Sequence, residues 1–172
     1  RRQRQMCIRD SSNISLEEGY GKSGQIQGIY GDYTVLRLPI HGEDKYALYN
    51  LKTKELKYID SKYGSPKIDN GVIVFGKREE TGYKYGALDL DLNEIVPAEY
   101  DELSLASATL FRAKKDEKYG LIDFNNKVVV DFNYKDIVRF NGVEDDSFSA
   151  FVDFDKNINK YTLALDENDK IV

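Results

Sequence analysis

The side chains best placed for chemistry are the oxygens of Asp89, Asp91 and Asn93, which alternate along one short segment. Oxygen ligands at the first, third and fifth positions open a common type of calcium-binding loop. That loop also needs Gly at its sixth position and Glu at its twelfth. This chain has Glu94 and Tyr100 at those positions. We therefore expect a polar turn here and predict no metal site.

The other candidate motifs each lack a residue that their chemistry requires. Gly21-Lys22-Ser23 resembles the end of a phosphate-binding loop, but Leu16 stands where the first glycine belongs. His41 is the sole histidine, no nucleophile elbow accompanies it, and its place at an expected strand end indicates a surface side chain. Carboxylate pairs such as Asp101-Glu102 say little in a chain with 30 acidic residues. We predict no catalytic residue and no cofactor.

The strongest pattern in the chain is a Lys-Tyr pair that begins a recurring segment. Residues 84–97 read KYGALDLDLNEIVP and residues 118–130 read KYGLIDFNNKVVV, with diverged copies starting at Lys45 and Lys160. The tyrosines of these pairs, here called the anchor tyrosines, are Tyr46, Tyr85, Tyr119 and Tyr161. They recur at intervals of 34 to 42 residues. A unit of this size copied along one chain indicates a repeat array.

Each unit is predicted to contain three short β-strands joined by polar turns. An apolar run such as residues 72–75 precedes the anchor, and another such as residues 95–96 closes the unit. Apolar and polar residues largely alternate in residues 121–124, as on a half-buried strand. The best helical candidate, residues 99–108, is shorter than the dozen or so residues that a stable helix needs. We predict an all-β fold of tandem antiparallel β-hairpin or three-stranded repeats in an open superhelical or partial propeller-like array.

A second set of tyrosines, here called the follower tyrosines, comes 15 to 17 residues after the first three anchors. They are Tyr63, Tyr100 and Tyr134. Two large aromatic residues in phase would bury the area that stacked repeats need, so we predict that they pack in the core. An exposed row of rings that binds sugars is the alternative. Gly86 and Gly120 follow two anchors and are predicted to let neighbouring strands approach closely.

The repeat resembles that of the bacterial WG-repeat family. That repeat reads Trp-Gly, an apolar strand with Asp, a polar turn, an Ile-Val-Pro strand and a downstream Tyr-Asp. Tyr85-Gly86 and Tyr119-Gly120 occupy the Trp-Gly place, with Tyr instead of Trp. Asp89, Ile95-Val96-Pro97 and Tyr100-Asp101 match the later parts of the unit.

The resemblance covers roughly residues 26–172 and is weaker at both ends, where Tyr46-Ala47 and Tyr161-Thr162 lack the glycine. It implies a β-hairpin repeat array with a binding or scaffolding role, and it supplies no catalytic residue. We expect residues 12–25 to be a linker or partial repeat. Residues 26–172 are expected to be a single β-repeat domain of about four units, truncated at both ends.

Residues 1–11, RRQRQMCIRDS, share neither period nor composition with the rest. They resemble a translated sequencing-adapter segment, so we expect them to be non-native; a basic arm that binds nucleic acid is the alternative. Leaving them out removes four Arg and one Asp, which moves the net charge from −5 to −8, and it removes the only cysteine. An acidic chain is not expected to bind nucleic acid. No run approaches the ~20 apolar residues of a membrane span.

These patterns favour a non-enzymatic binding or scaffolding module for a protein or a polysaccharide, because stacked repeats present an extended surface. The sequence assigns no binding residue, oligomeric state or cellular compartment. A glycoside hydrolase-like enzyme that uses loop carboxylates is the alternative from another class. A purely structural spacer is the third interpretation.

Overall fold

The computed structural model of the chain describes residues 13–14, 24–80, 82–139, 147–151 and 160–164, and the side chains of residues 24–80 and 82–138. Across these ranges the protein consists of β-strands and turns, so the all-β prediction is confirmed. No helix that could cross a membrane occurs in the described ranges. Residues 1–11 lie outside them.

The described strands form four antiparallel sheets that follow one another in chain order. Sheet I holds β1 to β5: Asn13–Ile14, Gly24–Tyr30, Tyr33–Ile40, Glu43–Asn50 and Leu56–Ile59. Sheet II holds β6 to β9: Gly64–Asp69, Val72–Glu79, Gly82–Leu88 and Glu94–Tyr100. Sheet III holds β10 to β13: Glu102–Leu105, Leu110–Lys115, Lys118–Asp123 and Val128–Tyr134. Sheet IV holds β14 to β16: Asp136–Arg139, Ser147–Phe151 and Lys160–Ala164.

Sheets II and III each contain one strand more than the three predicted for a unit. The additional strands, β6 and β10, precede the predicted triplets and form one edge of each sheet. Strand β10 lies inside residues 99–108, the best helical candidate, which contain no helix. Pairing with β11 from Glu102 to Leu105 satisfies those of its backbone groups that face β11. The segment 12–25 contributes β1 and the first residues of β2 to sheet I.

Two-residue turns with left-handed backbone connect neighbouring strands. His41-Gly42 has φ angles of 52° and 84°, and Asn70-Gly71 has 44° and 80°. Asp116-Glu117 has 50° and 62°. Positive φ at both central residues is typical of type I′ turns, whose twist matches that of the flanking strands. His41 is thus an exposed turn residue.

Each sheet packs face to face on the next one. The cluster between sheets I and II consists of Val35, Leu48, Ile59, Ile68, Ile73, Phe75 and Leu88. The cluster between sheets II and III consists of Val72, Ala87, Val96, Tyr100, Leu103, Phe111, Ala113 and Ile122. The cluster between sheets III and IV consists of Leu110, Tyr119, Leu121, Val130 and Ile137. Among the described residues no cluster joins sheet IV to sheet I, so these sheets form an open stack.

Alternation along single strands supplies both faces of the middle sheets. In β7, Val72 is buried toward sheet III, whereas Ile73 and Phe75 are buried toward sheet I. In β11, Leu110 is buried toward sheet IV and Phe111 toward sheet II. Because successive side chains of a strand point to opposite faces, one central strand fills two interfaces.

Gly86 lies at a bulge between the anchor strand and the closing strand of sheet II. Tyr85 pairs with Tyr100 and Ala87 pairs with Val96, so three residues of β9 stand opposite one residue of β8. A Cβ atom on Gly86 would lie 2.5 Å from the carbonyl oxygen of Val96. Only glycine fits this approach of the two backbones.

The same irregularity recurs in sheet III and is missing from sheet I. A Cβ atom on Gly120 would lie 2.6 Å from the carbonyl oxygen of Val130, at an equivalent shift in register. In sheet I the equivalent residue is Ala47, and it pairs with Tyr58 in an unbroken ladder. In these three sheets the bulge therefore occurs where glycine follows the anchor and is absent where alanine follows it.

Candidate functional site

Each of the four sheets carries one anchor tyrosine, on β4, β8, β12 and β16. Tyr46 and Tyr85 are half-buried against the clusters between sheets I and II and between sheets II and III. Tyr119 is 9% exposed and belongs to the cluster between sheets III and IV. Tyr161 lies on β16, and its side chain is outside the described part of the chain. The three described anchors therefore face the following sheet.

The follower tyrosines also lie at the interfaces between sheets. Tyr63 is half-buried, its ring centre is 4.3 Å from that of Phe75, and its hydroxyl donates to Glu94 at 3.2 Å. Tyr134 is half-buried against the cluster between sheets III and IV. Tyr134 and Tyr119 are cross-strand partners. These rings therefore contribute to packing between neighbouring sheets.

Tyr100 is the most buried follower, with 3% of its surface exposed. Its hydroxyl donates to the Asn126 side chain at 2.7 Å, and its ring stacks on Phe132 with centres 5.8 Å apart. Burial, reinforced by the charge of Glu99, raises the pKa of the Tyr100 phenol to about 12. Tyr100 is thus a neutral core residue with one satisfied hydroxyl.

The carboxylate of Asp89 is engaged by its own turn. It accepts backbone N–H groups of Asp91 at 2.9 Å and Asn93 at 2.8 Å, and the Asn93 side chain donates to it at 3.0 Å. Partial burial opposes ionisation, but these hydrogen bonds outweigh it and lower the pKa of Asp89. Asp123 accepts two backbone N–H groups in the equivalent turn of sheet III. In the described ranges no group of three or more His, Cys, Asp or Glu could hold a metal ion.

In sheets I to III a row of four cross-strand partners passes through the anchor and faces the next sheet. The row of sheet I is Gln25, Arg37, Tyr46 and Ile59. The row of sheet II is Gly64, Gly76, Tyr85 and Tyr100. The row of sheet III is Glu102, Lys114, Tyr119 and Tyr134. Sheet II therefore has two glycines where its neighbours have two long polar side chains.

In sheets I and III, the long side chains of the row form hydrogen bonds within their own sheet, beside the anchor ring. Arg37 donates to Gln25 at 3.2 Å and to Asp44 at 2.6 Å. Lys114 donates to Glu102 at 3.0 Å. The two glycines of sheet II have no side chains to form such a pair. They therefore leave one side of the Tyr85 ring uncovered.

Sheet III also places cations over the face of its anchor ring. The Arg112 guanidinium lies 3.7 Å from the centre of the Tyr119 ring, and the Lys114 ammonium lies 5.3 Å from it. The equivalent positions of sheet II, read from the cross-strand register, hold Val74 and Gly76. Sheet II thus lacks both of the side chains that cover the ring in sheet III.

A pocket of about 360 Å³ occupies this uncovered space between sheets II and III. We call it the tyrosine pocket, and its wall includes Gly64, Gly76, Tyr83, Tyr85, Leu103 and Leu105. Tyr83 is 56% exposed and occupies the position two residues before the anchor, where sheets I and III have acidic residues. The volume lies within the range of about 300–1,000 Å³ that is typical of small-ligand sites.

The floor of the pocket is bare backbone between two rings. A Cβ atom on Gly76 would lie 3.3 Å from the Tyr85 ring and 3.4 Å from the Tyr83 ring. Lys67 and Asp69, both exposed residues of edge strand β6, also line the pocket. The site thus combines an apolar, aromatic interior with two opposite charges contributed by one strand.

The sequence prediction identified Tyr85 as a repeat anchor and missed Gly64, Gly76 and Tyr83. The signal that could have revealed the site is the residue opposite each anchor. It is Arg37 for Tyr46, Gly76 for Tyr85 and Lys114 for Tyr119. Reading it requires the hairpin register. Turn lengths alone left that register open.

The described part of the chain is a tandem β-repeat protein, in which each sheet buries its faces against its neighbours. Residues 85–119 and 119–143 each match the family model described as WG containing repeat. The matches confirm the resemblance drawn from Tyr85-Gly86 and Tyr119-Gly120, and the chain carries WG-type repeats over residues 85–143. No curated protein matches the chain.

Proposed function

We propose that this chain is a non-enzymatic binding module for a protein or a polysaccharide, and that the ligand enters the tyrosine pocket. The observation that carries the proposal is the exchange of the polar pair Glu102–Lys114 of sheet III for the glycine pair Gly64–Gly76 of sheet II. The strand order is the same in the two sheets, and β6 differs from β10 by a register shift between Gly64 and Lys67. The exchange therefore opens a space within an unchanged strand order.

A purely structural spacer explains this exchange less well. A spacer needs each interface to be filled, since unfilled space next to apolar side chains lowers stability. Sheet II instead leaves Tyr85 half-covered and exposes Tyr83 beside it. Aromatic rings that border an open cavity are typical of ligand sites.

The enzymatic alternative also has weaker support at this site. Most glycoside hydrolases use two carboxyl groups across the scissile bond. The tyrosine pocket has one carboxylate, that of Asp69, among its lining residues. We therefore expect the purified protein to turn over none of a panel of chromogenic glycosides. Turnover that a single Asp or Glu substitution abolishes would overturn the proposal.

The proposal is tested by filling the pocket with the side chain that sheet III has at the same position. Gly76→Lys should fold, because its Cβ atom would contact only the two ring edges, which are side chains rather than backbone. A random peptide library on phage and a printed glycan array are probed with the wild type, with Gly76→Lys and with a control, Val128→Lys. Val128 is 44% exposed on β13.

Ligands selected by the wild type should bind the control equally and should lose at least tenfold in affinity for Gly76→Lys. Equal binding by Gly76→Lys would show that the pocket is not the site. No selected ligand in either format would contradict the binding function itself.

A further inference from the structure

We propose that the tyrosine pocket receives a basic side chain, arginine or lysine, from a partner protein. The cation of that side chain lies over the ring of Tyr85. This inference rests on the proposed binding function and specifies its ligand. It is drawn from a comparison of two anchor rings within one chain.

The ring of Tyr119 shows how an anchor holds a cation. The Arg112 guanidinium stacks over its centre at 3.7 Å, and the Arg112 side chain also forms an ion pair with Asp136 of the next sheet. Cations over an aromatic face are attracted by the negative potential of the ring, most strongly where water is displaced. The space in front of an anchor ring therefore fits a guanidinium.

Tyr85 has the same ring at the same register and lacks the cation. In the described ranges no Lys or Arg lies over the Tyr85 ring, because Val74 replaces the residue equivalent to Arg112. The chain supplies its own guanidinium in the third sheet, whereas in the second it leaves a pocket open to solvent. A cation from a partner would complete the arrangement.

Asp69 supplies the counter-charge that Asp136 supplies for Arg112. Asp69 lines the tyrosine pocket, and in the described part of the chain its carboxylate has no ion-pair partner within 4.0 Å. The chain as a whole is acidic, with a formal net charge of −5. Both features attract a basic partner and oppose an acidic one.

Lys67 is the residue whose charge opposes this ligand, since Lys67 also lines the pocket. It is exposed on an edge strand, and a lysine stem is long enough to hold its charge in water while its methylene groups line a pocket. Removing Lys67 should therefore tighten the binding of a cation. This is the opposite of what a phosphate-bearing or carboxylate-bearing ligand would show.

The probe is N-acetyl-arginine methylamide, and its neutral isostere N-acetyl-citrulline methylamide is the matched control. Each is titrated into the ¹⁵N-labelled full chain, and the backbone amides of Gly64 and Gly76 are followed by NMR. We expect saturable shifts at both glycines with the arginine probe. The citrulline probe should bind at least about tenfold more weakly, in line with the strength of a partly desolvated cation–π contact.

Four variants separate a cation site from a general apolar pocket. Asp69→Asn should weaken the arginine probe several-fold, and Lys67→Ala should strengthen it. Tyr85→Phe keeps the ring face and should still bind the arginine probe, whereas Tyr85→Leu should not bind. Asp131→Asn, on an exposed residue of β13, is the control and should bind unchanged.

Equal shifts with the citrulline probe, or unchanged binding by Asp69→Asn and Lys67→Ala, would overturn the cation assignment. Shifts at the two glycines with methyl glycosides and none with arginine would overturn it in favour of a saccharide, and the proposed binding function would stand. If neither the arginine probe nor the methyl glycosides shift the two glycines, the cation assignment fails. If Gly76→Lys also binds its selected ligands like the wild type, the proposed binding function fails as well.

Discussion

At the scale of single residues, tyrosines at equivalent repeat positions have different roles because their neighbours differ. Tyr119 is buried beneath Arg112, and its hydroxyl donates to Glu102 at 2.8 Å. Tyr85 has the same backbone position and is half-buried, without a cation above it in the described part of the chain. One anchor is therefore covered by its own sheet, and the other borders the tyrosine pocket.

Removal of the Tyr119 ring should strongly destabilise the protein. Tyr119→Ala loses a buried ring, a hydrogen bond and the contact with Arg112, and it should lower the free energy of unfolding by about 3–5 kcal/mol. Tyr83→Ala removes an exposed ring and should change it by less than about 0.5 kcal/mol. Urea denaturation followed by circular dichroism measures both. Equal, small effects would mean that the anchor ring contributes little to the core.

The phenol of Tyr100 should make stability depend on alkaline pH. Its pKa in the folded protein, about 12, lies above the ordinary value of 10.0. The neutral phenol therefore contributes its full stabilisation below pH 10, and this contribution is lost as the pH rises through 12. Tyr100→Phe should show a shallower fall in the free energy of unfolding over this interval. Tyr83→Phe is the control and should follow the wild type; parallel curves for all three proteins would contradict the assignment.

At the scale of elements, the glycine after the anchor decides how the closing strand pairs. Gly86 and Gly120 accompany a bulge that brings Tyr100 and Tyr134 opposite the anchors. Ala47 accompanies a regular ladder. The repeat motif thus encodes a local change of register as well as a strand.

Gly86→Ala should destabilise sheet II because the added methyl group meets backbone atoms that cannot move independently. We expect a loss of about 1–3 kcal/mol, as for other overpacked sites. Gly76→Ala is the matched control in the same sheet, since the nearest atoms to its methyl group belong to rings, at 3.3 Å and 3.4 Å. Thermal and urea unfolding compare the two. A larger loss for Gly76→Ala would contradict this account.

The stability of the polar turns should depend on their Asp carboxylates and should not change when calcium is added. Asp89→Ala leaves two backbone N–H groups without their acceptor and should lower the free energy of unfolding by about 1–3 kcal/mol. Asp89→Asn keeps a carbonyl acceptor and should lose less. Melting temperatures with and without millimolar calcium should coincide for the wild type. A rise that Asp89→Ala abolishes would show a metal site instead.

The sequence predicted those elements that carry continuous apolar runs, and it missed those that depend on pairing. The anchor strands and the strands next to them carry uninterrupted apolar runs, such as residues 72–75 and 121–122. The edge strands 64–69 and 102–105 are short and partly polar, and they become strands through pairing with a neighbour. The tyrosine pocket was missed for the same reason, because it depends on which residue lies opposite Tyr85.

At the scale of the whole molecule, the described sheets are coupled mainly through nearest neighbours. Sheets II and III have a neighbour on both faces, and Phe111 belongs to the cluster that joins them. Stability in such a stack is approximately a sum of contributions from the units and from their interfaces. Damage to one interface should therefore act mainly on the two sheets that share it.

Phe111→Ala tests this coupling. It should lower the free energy of unfolding by about 3–5 kcal/mol. In native-state hydrogen exchange, amides of sheets II and III should lose more protection than those of sheet I. Phe75→Ala, at the interface of sheets I and II, is the counterpart and should shift the loss toward sheet I. A uniform loss across all sheets for both variants would indicate one fully cooperative unit.

Arg37, Gly76 and Lys114 occupy one backbone position in three successive sheets. A single substitution that places a long side chain at Gly76 could fill the tyrosine pocket. A substitution of glycine for Arg37 or Lys114 could open a space beside its anchor ring. An ancestral chain could therefore have moved such a pocket from one interface between sheets to another, or duplicated it, while the strand order stayed the same. Under the proposed binding function, the ligand preference of such an array would evolve separately from its architecture.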